Sequence, residues 1–163
     1  MTEPGHSMIT FTRGNTKFTY RIAGVAIHDG HVLLQRAEAG NEWFVPGGRA
    51  ELLETTQDGL RREMREELHS DIRVEQLLYV IENFFSIGDI AYHELGLYFL
   101  ISFLDESMYD RQRTFLVQDA NIQFIFQWIP LHTLENIPVY PLCLQKALQS
   151  IPETTQHIVH FDG

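Results

Sequence analysis

Gly47-Gly48-Arg49-Ala50-Glu51-Leu52-Leu53-Glu54-Thr55-Thr56-Gln57-Asp58-Gly59-Leu60-Arg61-Arg62-Glu63-Met64-Arg65-Glu66-Glu67-Leu68 is the stretch on which the reading of this chain turns. Pro46-Gly47-Gly48 reads as a turn that brings bare backbone close to the segment after it. From about Thr55 the spacing becomes helical. Leu60, Met64 and Leu68 recur every fourth residue as one apolar stripe, with Thr55 or Thr56 available as the cap.

Glu63, Glu66 and Glu67 stand in i, i+3, i+4 relation on that helix, so their carboxylates share one surface. At about 100° per residue, Glu63 and Glu67 fall roughly 60° and 20° to one side of Leu60, while Glu66 lies further out. The acidic patch thus borders the buried stripe. Like charges at this spacing cost about 0.2–0.5 kcal/mol per pair, and the last turns of a helix favour cations. Arg61, Arg62 and Arg65 offset part of this, and hard divalent cations such as Mg²⁺ or Mn²⁺ prefer clustered carboxylate oxygens. A solvated charged face is the plain alternative. The preceding loop favours the metal, because a carbonyl such as that of Gly47 can complete a metal shell and Glu54 adds a carboxylate at the helix entrance.

Working outward, Ile9 to Thr12 and Lys17 to Ile27 read as a hairpin about Arg13-Gly14-Asn15 that continues into a long strand. Asp29-Gly30 closes a second hairpin onto His31 to Arg36, and Trp43-Phe44-Val45 is a short strand ending at Pro46. Past the helix, Ile72 to Phe85 and Tyr92 to Phe103 read as long strands separated by Ser86-Ile87-Gly88-Asp89. Phe124 to Ile129 is a further strand, and Leu142 to Gln149 reads as a terminal helix. The mixture is α/β or α+β.

The 163 residues suit one domain, with residues 1–20 as an N-terminal hairpin extension and 142–163 as a C-terminal helix and tail. A formal charge of −10 argues against duplex nucleic acid or an anionic bilayer as partner, so any phosphate handled here needs a cation between. Apolar runs such as Leu95 to Leu104 are too short to span a bilayer, and Met1-Thr2-Glu3-Pro4 does not begin a leader. Cys143 is the only cysteine, which fits a reducing, cytoplasmic setting.

Taken together, Gly48, Glu54, Arg62, Glu63, Met64, Glu66 and Glu67 resemble the Nudix box of the MutT-like hydrolases, G-x5-E-x7-R-E-U-x-E-E-x-G-U with U a bulky aliphatic residue. His69 and Ser70 depart from its last two positions. That glycine ends the helix at positive φ, a conformation His tolerates at a cost, so the departure bears on the helix exit more than on chemistry. Gly24-Val25-Ala26-Ile27, Leu33-Leu34-Gln35-Arg36, Trp43 to Gly48 and Gln127-Trp128-Ile129-Pro130-Leu131 resemble the flanking strands.

The resemblance implies an α/β/α sandwich with a mixed sheet and a loop-helix-loop. It implies Mg²⁺- or Mn²⁺-dependent cleavage of the pyrophosphate bond of a nucleoside diphosphate linked to another moiety. Carried over, Glu63, Glu66 and Glu67 are metal ligands or base, Gly47 a carbonyl ligand and Glu54 an outer carboxylate, while Arg62 orients a glutamate. A nucleotide-binding sensor without turnover is the alternative function. An additional acid is sought outside the box in Glu94, Glu106 or Asp119, with Glu94 preferred; His93 reads as structural. Arg36, Trp43, Phe84 and Glu94 are the substrate-side candidates, and Phe84, Phe85 or Trp43 could stack on a base, although each also reads as a core residue. Asn83-Phe84-Phe85-Ser86 carries neither the proline nor the tyrosine by which some subfamilies declare their substrate. Ile9-Thr10-Phe11 could pair with a second copy in a homodimer.

Overall fold

Ile22, Ala23, Gly24 and Val25 are consecutive and all buried, so the strand that carries them must be covered on both faces. That strand, β2 (Thr16–Val25), organises the computed structural model, which describes residues 7–162. The reading of Met1-Thr2-Glu3-Pro4, and part of the 1–20 extension, lie outside the described residues.

Along one edge β2 pairs parallel with β8 (Ile90–Phe103), and along the other it pairs antiparallel with β1 (Thr10–Arg13) and then with β6 (Gly47–Arg49). β7 (Ile72–Ile87) and β12 (Gln156–Phe161) complete this sheet. A second sheet holds β4 (His31–Ala37), to which β3 (Ile27–His28) and β5 (Trp43–Phe44) pair, together with β9 (Thr114–Asp119), β10 (Ile122–Pro130) and β11 (Val139–Tyr140). Helix α1 (Thr56–Leu68) buries Leu60, Met64 and Leu68 against Ile22, Leu33, Phe99 and Ile101. The opposite core joins Ala23, Val25, Ile81 and Tyr98 to Leu134, Leu144 and Leu148 of the 3-10 helix Leu131–Asn136 and of α2 (Leu144–Ala147) and its C-cap. Helical pieces thus lie against both faces, as the mixed α/β expectation requires. Among the described residues no helix is long and apolar enough to cross a membrane.

Three expectations are corrected. Gly47-Gly48 is not a turn but part of β6, with Gly48 opposite Ile22 and Gly47 opposite Ala23. The glycines are there for close approach, since a Cβ on Gly47 would run into the Ile22 carbonyl oxygen. The C-terminal helix shrinks from Leu142 to Gln149 down to four residues; its N-cap, Cys143, makes no side-chain cap bond. The tail after it forms β12, which pairs parallel with β7 from Gln156↔Tyr79 to Phe161↔Phe84.

Candidate active site

Thr55 caps α1 by accepting a hydrogen bond from the Asp58 backbone N–H at 3.1 Å. Close by, Gly59 lets the helix sit down on β2, because a Cβ there would lie 2.7 Å from both Glu54 Oε2 and Ile22 Cδ1. At the far end His69 takes φ 51°, ψ 37° and donates its backbone N–H to Arg65 O, so the histidine performs the left-handed termination expected of glycine.

Arg62 gathers the carboxylates. Its Nε donates to Glu54 Oε1 at 2.8 Å and its Nη2 to Glu54 Oε2 at 3.0 Å, a two-pronged pair. Nη1 reaches Glu63 Oε1 at 3.0 Å and Glu66 Oε2 at 3.4 Å, and Nη2 also lies 3.3 Å from Glu51. Hydrogen bonding to Glu54 holds the guanidinium pKa above its ordinary value. Glu66 is the outlying member, its side chain 53% exposed against 14% for Glu63.

Glu63 lies against Gly48, where an added Cβ would collide with its carboxylate. Burial raises its pKa against the pull of Arg62. Burial pushes the Glu67 carboxyl up to about 8, with the charge of Glu63 adding to the effect. Glu67 Oε2 is buried without a hydrogen-bond partner. Asp119 and Gln35 face Glu67 across a small cavity of about 60 Å³. Arg21 is the nearby cation that works against the rise at both Glu63 and Glu67.

Among the described residues no three His, Cys, Asp or Glu side chains stand together as a preformed metal cage. Arg62 draws Glu54, Glu63 and Glu66 toward itself instead. The donor chemistry nonetheless fits a hard divalent ion, with oxygen ligands only and one carboxylate oxygen, Glu67 Oε2, buried and unpaired.

A larger cavity of about 510 Å³ opens between β5, β7, β8 and β11. Arg21 and Glu94 line it, as do Glu42 and Asn83, with Phe44 and Phe85 among its apolar walls. Arg21 donates to the Val45 carbonyl at 2.6 Å and belongs to both places, lining this cavity and acting on Glu63 and Glu67. Of the substrate-side candidates Glu94 lines the cavity, where its Oε2 accepts the Thr19 hydroxyl at 2.9 Å, and of the three aromatic stacking candidates Phe85 does. Arg36 instead donates to the carbonyls of Ala37, Glu38 and Gly40 and lies 5.3 Å from the Trp43 ring centroid. Phe84 stacks on Phe161 at 4.9 Å and packs against His93 at 4.6 Å. Those contacts make Phe84, His93, Arg36 and Trp43 packing and loop-holding residues in this conformation. Glu106 is exposed on the 3-10 helix Glu106–Tyr109, away from both cavities, whereas Asp119 faces Glu67.

The sequence reading passed over Arg21, Glu42, Glu51 and Asn83. Arg21 carried a signal, a cation directly before the uninterrupted apolar run Ile22 to Ile27. Asn83, an amide inside an aromatic strand, carried another.

A profile of the NUDIX domain matches residues 19–147. The chain is 35% identical over 88 residues to the low-salt glycan biosynthesis protein Agl8 of Haloferax volcanii, a match covering 50% of this chain and 56% of that protein. It thus spans about half the length of that curated relative. An ADP-ribose pyrophosphatase from Streptococcus suis superposes with a TM-score of 0.55 at 16% identity, over 88% of this chain and 98% of the other. A MutT protein from Bacillus halodurans does so with a TM-score of 0.56 at 17% identity, over 85% and 89%. For a UDP-X diphosphatase the TM-score is 0.55 at 17% identity, over 86% and 66%. At these identities the structural likeness is one of fold.

Proposed function

The chain belongs to the Nudix family, and from that premise we propose that it is a divalent-metal-dependent hydrolase cleaving the pyrophosphate bond of a nucleoside diphosphate linked to another moiety. The observation that carries the reading is the convergence of Glu54, Glu63 and Glu66 on Arg62 beside a Glu67 whose buried Oε2 has no partner. Burying an unpaired carboxylate is costly, and a site that tolerates the cost has a use for it. The relatives named for diphosphate substrates, ADP-ribose and UDP-X, are in keeping with this.

In this reading Glu63, Glu66, Glu67 and the Gly47 carbonyl hold Mg²⁺ or Mn²⁺. Such an ion, when bound, supplies charge neutralisation for the diphosphate and makes a bound water more acidic. Arg62 sets the rotamers of Glu54 and Glu63 and holds no substrate. Arg21, between the larger cavity and α1, faces the phosphates. Glu94 contacts the moiety seated in the cavity. The substrate is a small molecule, since a formal charge of −10 repels duplex nucleic acid. We place the work in the cytoplasm, where the single thiol of Cys143 stays reduced. A homodimer through edge strand β1, where Phe11 is exposed, completes the reading.

The test is turnover. The protein is incubated with Mg²⁺ or Mn²⁺ and a panel of ADP-ribose, nucleotide-sugars, nucleoside triphosphates and dinucleoside polyphosphates, and monophosphate or phosphate release is measured. Hydrolysis that vanishes in Glu67→Gln while the circular dichroism is unchanged is expected. Tight binding of a panel member with no turnover in either protein assigns the chain to the sensor class instead.

A further inference from the structure

Residues 19–147 carry the family domain, and the chain after it returns as β12 to add a strand beside β7. Apolar burial does little to hold that strand. Ile158 packs against the core, whereas Val159 and Phe161 are 53% and 70% exposed. Polar contacts fasten this tail instead. Thr155 Oγ1 donates to the Leu77 carbonyl at 2.7 Å, the Gln76 amide donates to the Pro152 and Glu153 carbonyls at 3.2 and 3.1 Å, and His157 Nε2 lies 2.6 Å from Glu82 Oε2. Burial thus offsets little of the entropy lost in ordering these residues.

A role for the strand lies at its end. Asp162, directly after β12, lines the 510 Å³ cavity with its side chain 9% exposed. Its backbone N–H donates to the Phe84 carbonyl at 2.9 Å, between the cavity-lining Asn83 and Phe85, which fixes it to the sheet of β7. Its Oδ1 accepts the Leu142 backbone N–H at 3.4 Å, and His160 Nε2 stands 2.6 Å from the same oxygen. Tyr140, Pro141 and Leu142 are the part of the cavity wall that continues from the other sheet, where β11 lies beside β5 and Tyr140 sits opposite Phe44. Asp162 therefore ties the two sheets together at the cavity. Arg21, bonded from β2 to the Val45 carbonyl beyond β5, is a second such tie. Walls fixed before a ligand arrives need no ordering when it binds.

We propose that Asp162 is a positioning residue for the substrate, acting through Leu142 to hold the Tyr140-Pro141-Leu142 wall at the spacing a bound ligand needs. The strand after the family domain is thereby part of the binding site. The inference deepens the hydrolase reading and rests on it for the assignment of this cavity to the substrate. Phosphorus chemistry stays with α1, so losing the tie weakens binding and spares the chemical step.

Binding measured without turnover tests this in the full chain. Dissociation constants for ADP-ribose and UDP-glucose are measured by calorimetry in EDTA for the wild type, Asp162→Ala, Asp162→Asn and Thr155→Val. Thr155→Val removes a hydrogen bond of the same tail away from the cavity, and so reports what loosening the tail alone does. Whichever ligand the wild type binds is expected to bind Asp162→Ala at least about tenfold more weakly. Asp162→Asn keeps an acceptor for Leu142 and is expected, like Thr155→Val, to stay within about threefold of the wild type. Where the ligand is hydrolysed in Mg²⁺, the change in Asp162→Ala should fall on KM, with kcat held within about threefold. Unchanged affinity in Asp162→Ala, an equal loss in Asp162→Asn or Thr155→Val, or no binding of either ligand by the wild type at millimolar concentration overturns the inference. So does a fall in kcat with KM unchanged. Asp162-dependent binding by a protein that hydrolyses neither ligand would reject the hydrolase reading and leave this one standing. Hydrolysis with an affinity indifferent to Asp162 would do the reverse.

Discussion

Arg62 holds Glu54 by two hydrogen bonds at once, Nε to Oε1 at 2.8 Å and Nη2 to Oε2 at 3.0 Å, across eight residues of chain. The fork ties the segment leading into α1 to the helix body, and the remaining Nη1 protons steer Glu63 and Glu66. A lysine ammonium is a point charge and cannot span both oxygens. Arg62→Lys is therefore expected to lose about 2 kcal/mol of unfolding free energy in urea. Arg61→Ala, whose partner Asp58 is 66% exposed, should change stability by less than about 0.5 kcal/mol. Equal losses in the two variants would contradict this account of Arg62.

The two adjacent glycines should fail differently. A Cβ at Gly47 meets the backbone carbonyl of Ile22, which cannot move without unpairing β6 from β2. Gly47→Ala should cost about 2–3 kcal/mol of stability. At Gly48 the obstacle is the Glu63 carboxylate, the mobile end of a side chain. Gly48→Ala should keep most of its thermal stability and lose at least about tenfold in kcat through the displaced Glu63. Thermal melts and kinetics on the two variants separate the cases.

His69 holds φ 51°, a conformation costing an L-residue about 1–2 kcal/mol where glycine takes it freely. After glycine's own entropy cost, His69→Gly should raise stability by about 0.5–1 kcal/mol with turnover unchanged. A destabilised variant would mean that the histidine side chain holds something the helix exit needs.

Burial, with Asp162 nearby, pushes the Cys143 thiol up to about 11. Only the thiolate is alkylated, and a raised pKa keeps the group protonated at neutral pH. Iodoacetamide labelling of the folded protein should therefore be slow at pH 8 and climb about tenfold per pH unit toward 11. A labelling rate that levels off near pH 9 would show an ordinary thiol.

Much of this was legible in the sequence because the signals were local. A cap at Thr55 or Thr56, the stripe Leu60-Met64-Leu68 and the helix end at His69 depend on neighbours a turn away; the structure keeps the stripe and the helix end and takes Thr55 as the cap. The long hairpin of β7 and β8 announced itself in β-branched and aromatic residues about Gly88-Asp89. What escaped depends on distant partners. Gly47-Gly48 looks like a turn until β2 is laid beside it. Gln156–Phe161 alternates polar and apolar residues too weakly to declare a strand without β7 to pair with. Residue type alone marks the substrate-side candidates, and type does not say which way a side chain faces. Phe84 and Phe85 are neighbours on one strand and point to opposite faces, so Phe85 lines the cavity while Phe84 stacks on Phe161.

The central claim is that the acidic edge of α1 holds a divalent ion, and direct Mn²⁺ binding tests it without any substrate. Free Mn²⁺ is titrated by electron paramagnetic resonance against the purified full chain, against Glu63→Gln and against Glu67→Gln. The account predicts bound Mn²⁺ in the wild type and affinity at least about tenfold weaker in both variants, each of which removes a ligand charge. Mn²⁺ bound as tightly by both variants as by the wild type, or by none of the three at millimolar concentration, would contradict it.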